Sequence, residues 1–106
     1  MAHKYYPNPL EKAVFSAEGP QPRTLFASGQ VKVIVAGVEA GSKIPVHPEG
    51  LSSFHFMEGK GVMIVDGERL PVGPGVVIIA EHGAPRGMEA ETRLTFVAVR
   101  ITELEH

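Results

Sequence analysis

The sequence contains no cysteine and no tryptophan, and it has no long apolar run. Without cysteine there is neither a disulfide framework nor a thiolate metal site, which suits a reducing cytoplasm. No window approaches the roughly 20 apolar residues of a membrane span, and the first residues lack the apolar core of a signal peptide. Ten Lys and Arg residues stand scattered against twelve Asp and Glu residues, which excludes a basic stripe for a nucleic acid backbone. We therefore expect a cytoplasmic protein without membrane or nucleic acid partners.

The length of 106 residues, of which 43% are hydrophobic, predicts one domain with one core. Residues 1–23, which are rich in Pro, Tyr and Glu, are interpreted as an N-terminal arm, and residues 24–103 as the folded domain. Residues 104–106 are typical of a tag remnant and are excluded from any site.

Twelve glycines and nine prolines divide the chain into short segments. Four segments are β-branched runs with the length of strands, too short for stable helices: residues 31–38, 62–65, 76–79 and 94–101. Asp66-Gly67 follows the second run and is the dipeptide favoured in a two-residue type I′ hairpin. Many short strands with frequent turns predict an all-β sandwich or barrel.

Residues 10–18 are the one helix candidate of the sequence. Asn8-Pro9 precedes them, which pairs an N-cap residue with proline at the first helical position. Because the segment is short, an extended arm is an equal alternative.

His47 and Glu49 are two residues apart in a segment with strand character. Strand alternation places both side chains on one face, roughly 6–7 Å apart at Cα, so that one ion or ligand can contact both. Alternatively, Pro48 and Gly50 break the strand there and leave the pair in a solvated loop. His82 lies among turn residues, where an exposed histidine is more common than a ligand.

Two segments resemble the sequence motifs of the cupin family. Residues 41–49 with residues 54–61 are similar to the first motif, G-x5-H-x-H-x(3,4)-E-x6-G, and residues 75–86 are similar to the second, G-x5-P-x-G-x2-H-x3-N. The resemblance covers about residues 24–101 and is to the small single-domain cupins of bacteria. It implies a double-stranded β-helix, a barrel of the jelly-roll type, with a ligand pocket inside the barrel and often a homodimer.

The resemblance also indicates a degenerate metal motif. It places His47 and Glu49 at two ligand positions, Ser52 at the position of a glutamate, and Arg86 at that of the second-motif histidine. A neutral hydroxyl is a poor replacement for a carboxylate, and a guanidinium has no lone pair for a metal. We therefore expect no cofactor. A divalent transition metal on His47 and Glu49 is the alternative.

A third ligand for such a metal would be His55 or His82. If Ser52 faces the barrel interior, alternation places Phe54 and Phe56 inside as well and His55 outside. His82 lies in a turn, before the proline that precedes Arg86.

Arg86 offers a planar donor fork suited to a carboxylate or a phosphate. In one interpretation it forms an ion pair with Glu49 that closes the site. In the other, Arg86 and His47 form the anion-binding end of an apolar pocket. The predicted ligand-binding residues are His47, Glu49, Ser52, Arg86, Phe54 and Phe56, with Met63 or Ile78 as further wall residues.

Three functions remain open, because the cupin scaffold hosts catalysis, storage and regulation alike. The favoured one is binding of a small carboxylate or phosphate without catalysis. The second is an isomerase, lyase or oxygenase in which His47 and Glu49 act as acid and base or hold a metal. The third is a structural or oligomerisation module with a vestigial pocket.

The arm further predicts a homodimer. Tyr5, Tyr6 and Phe15 are large side chains that a barrel of this size cannot fully cover, and a partner chain would bury them. In the alternative they pack on their own barrel.

Overall fold

The computed structural model describes residues 2–102. The predicted tag remnant, residues 104–106, lies outside the described residues. Nine β-strands make up most of the described chain: β1 (Arg23–Ser28), β2 (Val31–Val38), β3 (Lys43–Pro48), β4 (Leu51–Glu58), β5 (Gly61–Val65), β6 (Glu68–Val72), β7 (Val77–Ala80), β8 (Pro85–Ala90) and β9 (Leu94–Ile101). Within the same residues, no helix is long and apolar enough to cross a membrane.

The strands form two antiparallel sheets. One sheet has five strands in the order β1-β2-β9-β4-β7, and the other has four strands in the order β3-β8-β5-β6. Strands distant in sequence are neighbours because the chain repeatedly crosses between the sheets, as it does in a jelly roll. The predicted all-β fold is therefore confirmed.

The inner faces of the two sheets enclose one core. In the five-stranded sheet, the ring of Phe96 packs against those of Phe54 and Phe56, with ring centroids 5.8 and 5.7 Å apart. Met63 and Met88 of the four-stranded sheet pack against the same cluster. The predicted alternation along β4 is confirmed, since Ser52, Phe54 and Phe56 are buried and His55 is exposed.

The predicted strands and hairpin are also found. Residues 31–38 and 94–101 form β2 and β9 with the same bounds, and residues 62–65 lie in β5. In the hairpin, Asp66 and Gly67 both have positive φ, 52° and 80°, and Val65 pairs with Glu68. Strand β7 begins at Val77, one residue later than predicted, because the N–H of Val76 still donates to the oxygen of Gly73 in the preceding turn.

The predicted helix over residues 10–18 is wrong, and the extended arm is correct. A single 3₁₀ turn covers Pro9–Lys12, and Ala13 is already extended, at φ −70° and ψ 137°. A short helix depends on tertiary packing for its stability. Here packing favours the extended chain, since the Phe15 ring lies on Gly37 and its centroid is 4.6 Å from the guanidinium of Arg93.

The N-terminal arm packs against the barrel of its own chain. The Tyr6 hydroxyl donates to the backbone oxygen of Leu25 at 2.6 Å, and β1 begins at Arg23. Tyr6 and Phe15 thus contact their own chain, whereas Tyr5 is 79% exposed. The homodimer stays a prediction.

Candidate functional site

A cavity of about 100 Å³ lies at one end of the barrel interior, between the two sheets. Pro20 and Pro22 of the arm border it. Its polar lining consists of His47, Glu49, Arg86 and Arg100, and its wall includes Ile34, Ala36, Ile44, Phe54, Met88 and Phe96. An apolar wall with a few polar groups is the usual composition of a small-molecule site.

A β-bulge brings His47 into this cavity. Ile44 pairs with Met88 and His47 with Arg86, so two residues of β3 lie opposite the single Gly87 of β8. The extra residue shifts the alternation: Ile44 and His47 both line the cavity, and Val46 is 54% exposed. A Cβ on Gly87 would lie 2.7 Å from the oxygen of Ile44. The absence of a side chain at Gly87 therefore allows the bulge, a device that re-aims side chains near sites.

Both ring nitrogens of His47 face oxygen acceptors. Nδ1 lies 2.9 Å from the backbone oxygen of Pro45, and Nε2 lies 2.7 Å from Oε2 of Glu49. Both oxygens can accept a hydrogen bond from the ring when it carries two protons, so this arrangement favours the cationic form of His47. The pKa of His47 is accordingly raised, mainly by the Pro45 carbonyl and then by Glu49, while burial and the charge of Arg86 oppose the shift.

Glu49 supplies the one carboxylate among the described residues that line the cavity. Its Oε2 accepts from His47, and its Oε1 lies 2.8 Å from Nη2 of Arg100. A single negative charge therefore faces the two fixed positive charges of Arg86 and Arg100, and a third when the His47 ring is protonated. The cavity has an excess of positive charge.

Arg86 lies opposite His47 in the β3–β8 pairing and is only 4% exposed. Its guanidinium donates four hydrogen bonds to backbone oxygens, those of Ala84 (2.9 Å from Nε), Gly50 (2.7 Å from Nη1), Glu49 and Glu81 (3.1 and 2.9 Å from Nη2). Burial lowers the pKa of Arg86 and the charge of Glu49 opposes this, but a guanidinium stays charged at neutral pH. Arg86 thus joins the two turns that close this end of the barrel.

Two expectations for Arg86 are corrected by these contacts. The Glu49–Arg86 ion pair is wrong, because the Glu49 carboxylate pairs with His47 and Arg100 while Arg86 holds the Glu49 backbone. The expectation that Arg86 presents an open donor fork to a ligand is wrong as well. A guanidinium has five N–H groups, so the four carbonyl bonds leave one for a ligand. Arg86 contributes its charge to the cavity more than its hydrogen bonds.

Arg100 is the cavity residue that sequence reasoning misses. It lies in β9 at the end of an inward alternation that includes Phe96 and Ala98, both buried. A charged residue at an inward position of an apolar strand is the signal that could have identified it. Its Nε is buried and has no hydrogen-bond partner among the described residues, and an unpaired buried donor is destabilising until it finds an acceptor.

The remaining predicted residues lie around the cavity or away from it. Phe54 lines the wall, whereas Ser52 is 1% exposed and its hydroxyl donates to the oxygen of Gly50 at 3.2 Å. Phe56 and Met63 lie deeper in the core. Among the described residues, the wall opposite Phe54 comes from Ile44 and Met88 of the four-stranded sheet.

Comparison with family models and with curated proteins gives no match. Among solved structures, an RmlC-like cupin protein from Desulfovibrio desulfuricans superposes with a TM-score of 0.82, at 26% identity over 93% of this chain and 97% of that chain. The chain has the cupin fold.

Two further structures show how widely this cupin fold is shared. A protein with a double-stranded β-helix domain from Klebsiella pneumoniae has a TM-score of 0.82 and 20% identity, over 93% of this chain and 90% of its own chain. Salicylate 1,2-dioxygenase from Pseudoaminobacter salicylatoxidans has a TM-score of 0.73 and 18% identity, over 80% of this chain but 27% of its own chain. At these identities the likeness concerns the fold.

The residues of this chain do not fit a divalent transition metal. Both nitrogens of His47 have hydrogen-bonding partners, the oxygens of Glu49 are engaged by His47 and by the ion pair with Arg100, and Arg86 carries a positive charge beside them. Within residues 2–102, no three His, Cys, Asp or Glu side chains form a group that could hold an ion. The prediction of His55 as a third metal ligand is wrong, because this residue lies on the outer face of β4. His82 is exposed in the turn before β8 and does not complete a set with His47 and Glu49.

Proposed function

We propose that this cupin binds a small anionic molecule, a carboxylate or a phosphate, at the end of its barrel. The observation that carries the proposal is the charge imbalance in the cavity, where His47, Arg86 and Arg100 surround the single carboxylate of Glu49. If these side chains only stabilised the fold, we would expect their charges to balance, because unpaired charge in a partly buried site is destabilising.

Arg100 is the group that would donate to the anion, and His47 would contribute the charge of its protonated ring. The Nε–H of Arg100 has no partner among the described residues, and the His47 ring lies across Glu49 from it. The apolar wall would take the carbon skeleton of the ligand. A volume of about 100 Å³ is well below the ~300–1,000 Å³ of sites for drug-sized molecules, so the ligand is a short-chain acid or a small phosphate.

Isothermal titration calorimetry tests the proposal. We expect wild-type protein to bind a short-chain carboxylate or inorganic phosphate, and Arg100→Gln to weaken binding by at least about tenfold, as for a lost charge-assisted hydrogen bond. The matched control is Arg69→Gln, which removes the same charge and breaks an ion pair with Glu89 on the barrel exterior. Absence of binding in the wild type, or equal weakening in both variants, would overturn the proposal. The former would favour an oligomerisation module.

We extend the proposal to the setting of the protein, a homodimer in the cytoplasm. Its support is the lack of cysteine and the exposure of Tyr5 at 79%. Light scattering coupled to size exclusion should give twice the chain mass at micromolar concentrations, and a monomer throughout would contradict the dimer.

A further inference from the structure

A second cavity, of about 80 Å³, adjoins the first. Pro22, Ile34 and Arg100 line both cavities, so Arg100 stands between them. The charged residues that line the second cavity among the described residues are Lys32 and Arg100. Whereas the first cavity has Glu49, the second is bordered by positive charge alone.

Lys32 and Arg100 are directly opposite each other on β2 and β9. Residues paired in this way have Cβ atoms about 4.5–5.5 Å apart, and like charges in such a pair are destabilising. Within residues 2–102, no side chain forms a hydrogen bond or an ion pair with Lys32, and Glu49 is shared by Arg100 and His47. Among the described residues, no partner of Lys32 therefore offsets its repulsion with Arg100.

Lys32 and Arg100 form an inward-facing row of β2 and β9 at the end of the barrel. The next inward row toward the core joins Ile34 of β2 to Ala98 of β9, and both side chains are apolar. The two cations are thus confined to the row that borders both cavities. A negative group in the second cavity would face Lys32 and Arg100 together.

We propose that the ligand carries two anionic groups, one held by Arg100 and His47 in the first cavity and the other by Lys32 in the second. This inference rests on the proposed function and narrows it to a short dianion. The carbon skeleton would pass Ile34 and Pro22, which both cavities share. A short dicarboxylate is the simplest molecule with these properties.

Calorimetric titration of succinate and butyrate provides the test, because the two acids have the same number of carbons and differ by one carboxylate. Wild-type protein should bind succinate about fivefold more tightly than butyrate, the preference expected of one partly exposed charge pair. Lys32→Gln should weaken succinate binding more than butyrate binding and so bring the ratio of the two affinities close to one. Since Lys32 is exposed, the variant should fold normally.

Lys60→Gln is the matched control. It makes the same change in net charge, but Lys60 lies in the turn between β4 and β5, at the other end of β4 from Glu49 and Ser52. It should keep the preference for succinate. Equal wild-type affinities for the two acids, or equal losses in the Lys32 and Lys60 variants, would overturn the dianion and leave the proposed function standing. No binding of any carboxylate or phosphate would overturn both.

Discussion

Nη2 of Arg86 lies 3.1 Å from the backbone oxygen of Glu49, while the carboxylate of the same Glu49 lies 2.8 Å from Arg100. The two arginines therefore divide the tasks of the site. Arg86 is buried and bound to carbonyls, so it holds the turns in place. Arg100 is partly exposed, its buried Nε–H has no partner among the described residues, and it is the group that we propose for the ligand.

Replacement of Arg86 should destabilise the fold. Arg86→Ala loses four hydrogen bonds from a charged donor to the turns at Glu49-Gly50 and Glu81–Ala84, and we expect the free energy of unfolding to fall by about 3 kcal/mol. Arg86→Lys should not restore it, because one ammonium cannot reach carbonyls on both turns. Urea unfolding measures the change. A loss within 1 kcal/mol of that caused by Arg69→Ala, an exposed arginine, would argue against the structural role.

Replacement of Glu49 should change stability and binding in opposite directions. Glu49→Gln leaves His47 and Arg100 without their anion, so the protein should become less stable in the absence of ligand. The same change removes the carboxylate that competes with a bound anion, so succinate should bind more tightly. Thermal unfolding with and without succinate measures both effects. Glu89→Gln, on the barrel exterior, should leave succinate binding unaltered, and weaker binding in Glu49→Gln would contradict the account.

The protonation of His47 should appear in the pH dependence of stability. Because the folded pKa is raised above the ordinary value of 6.5, the stabilising contribution of His47 is complete below that value and is lost as pH rises through the folded pKa. The contribution is small, since the side chain is 45% exposed. Urea unfolding between about pH 6 and pH 8.5 should show a steeper fall for the wild type than for His47→Gln. Parallel curves would be inconsistent with a charged ring.

The bulge that orients His47 should depend on Gly87. In Gly87→Ala the new Cβ would lie 2.7 Å from the Ile44 oxygen and 3.0 Å from the Val46 nitrogen, and such overpacking costs about 1–3 kcal/mol. The shift of β3 should also weaken carboxylate binding. Gly73→Ala is the control, because its nearest contact would be an ordinary 3.8 Å. If Gly87→Ala is as stable as Gly73→Ala, the bulge does not require glycine.

Features encoded by neighbouring residues could be predicted from the sequence. Strands β2 and β9 follow from β-branched runs, and the hairpin follows from Asp66-Gly67. The burial of Ser52 and Phe54 and the exposure of His55 follow from strand alternation. Arg100 is predictable on the same principle, as an inward charge in β9.

Other features depend on contacts between distant residues and could not be predicted in this way. The bulge at Pro45 and Val46 needs the missing side chain of Gly87, more than forty residues later in the chain. The carbonyls that bind Arg86 come together only when two separate turns meet. In the arm, the packing of Phe15 on Gly37 outweighs a favourable helix start.

The central claim, that Arg100 receives an anion in the cavity, is tested most directly by the NMR signal of its Nε–H group during titration with succinate. We predict a saturable downfield shift of the Arg100 signal, with the Arg69 and Arg93 signals, whose side chains already pair with Glu89 and Glu39, unchanged. An Arg100 signal that does not move, or that moves only together with the other arginines, would contradict the claim.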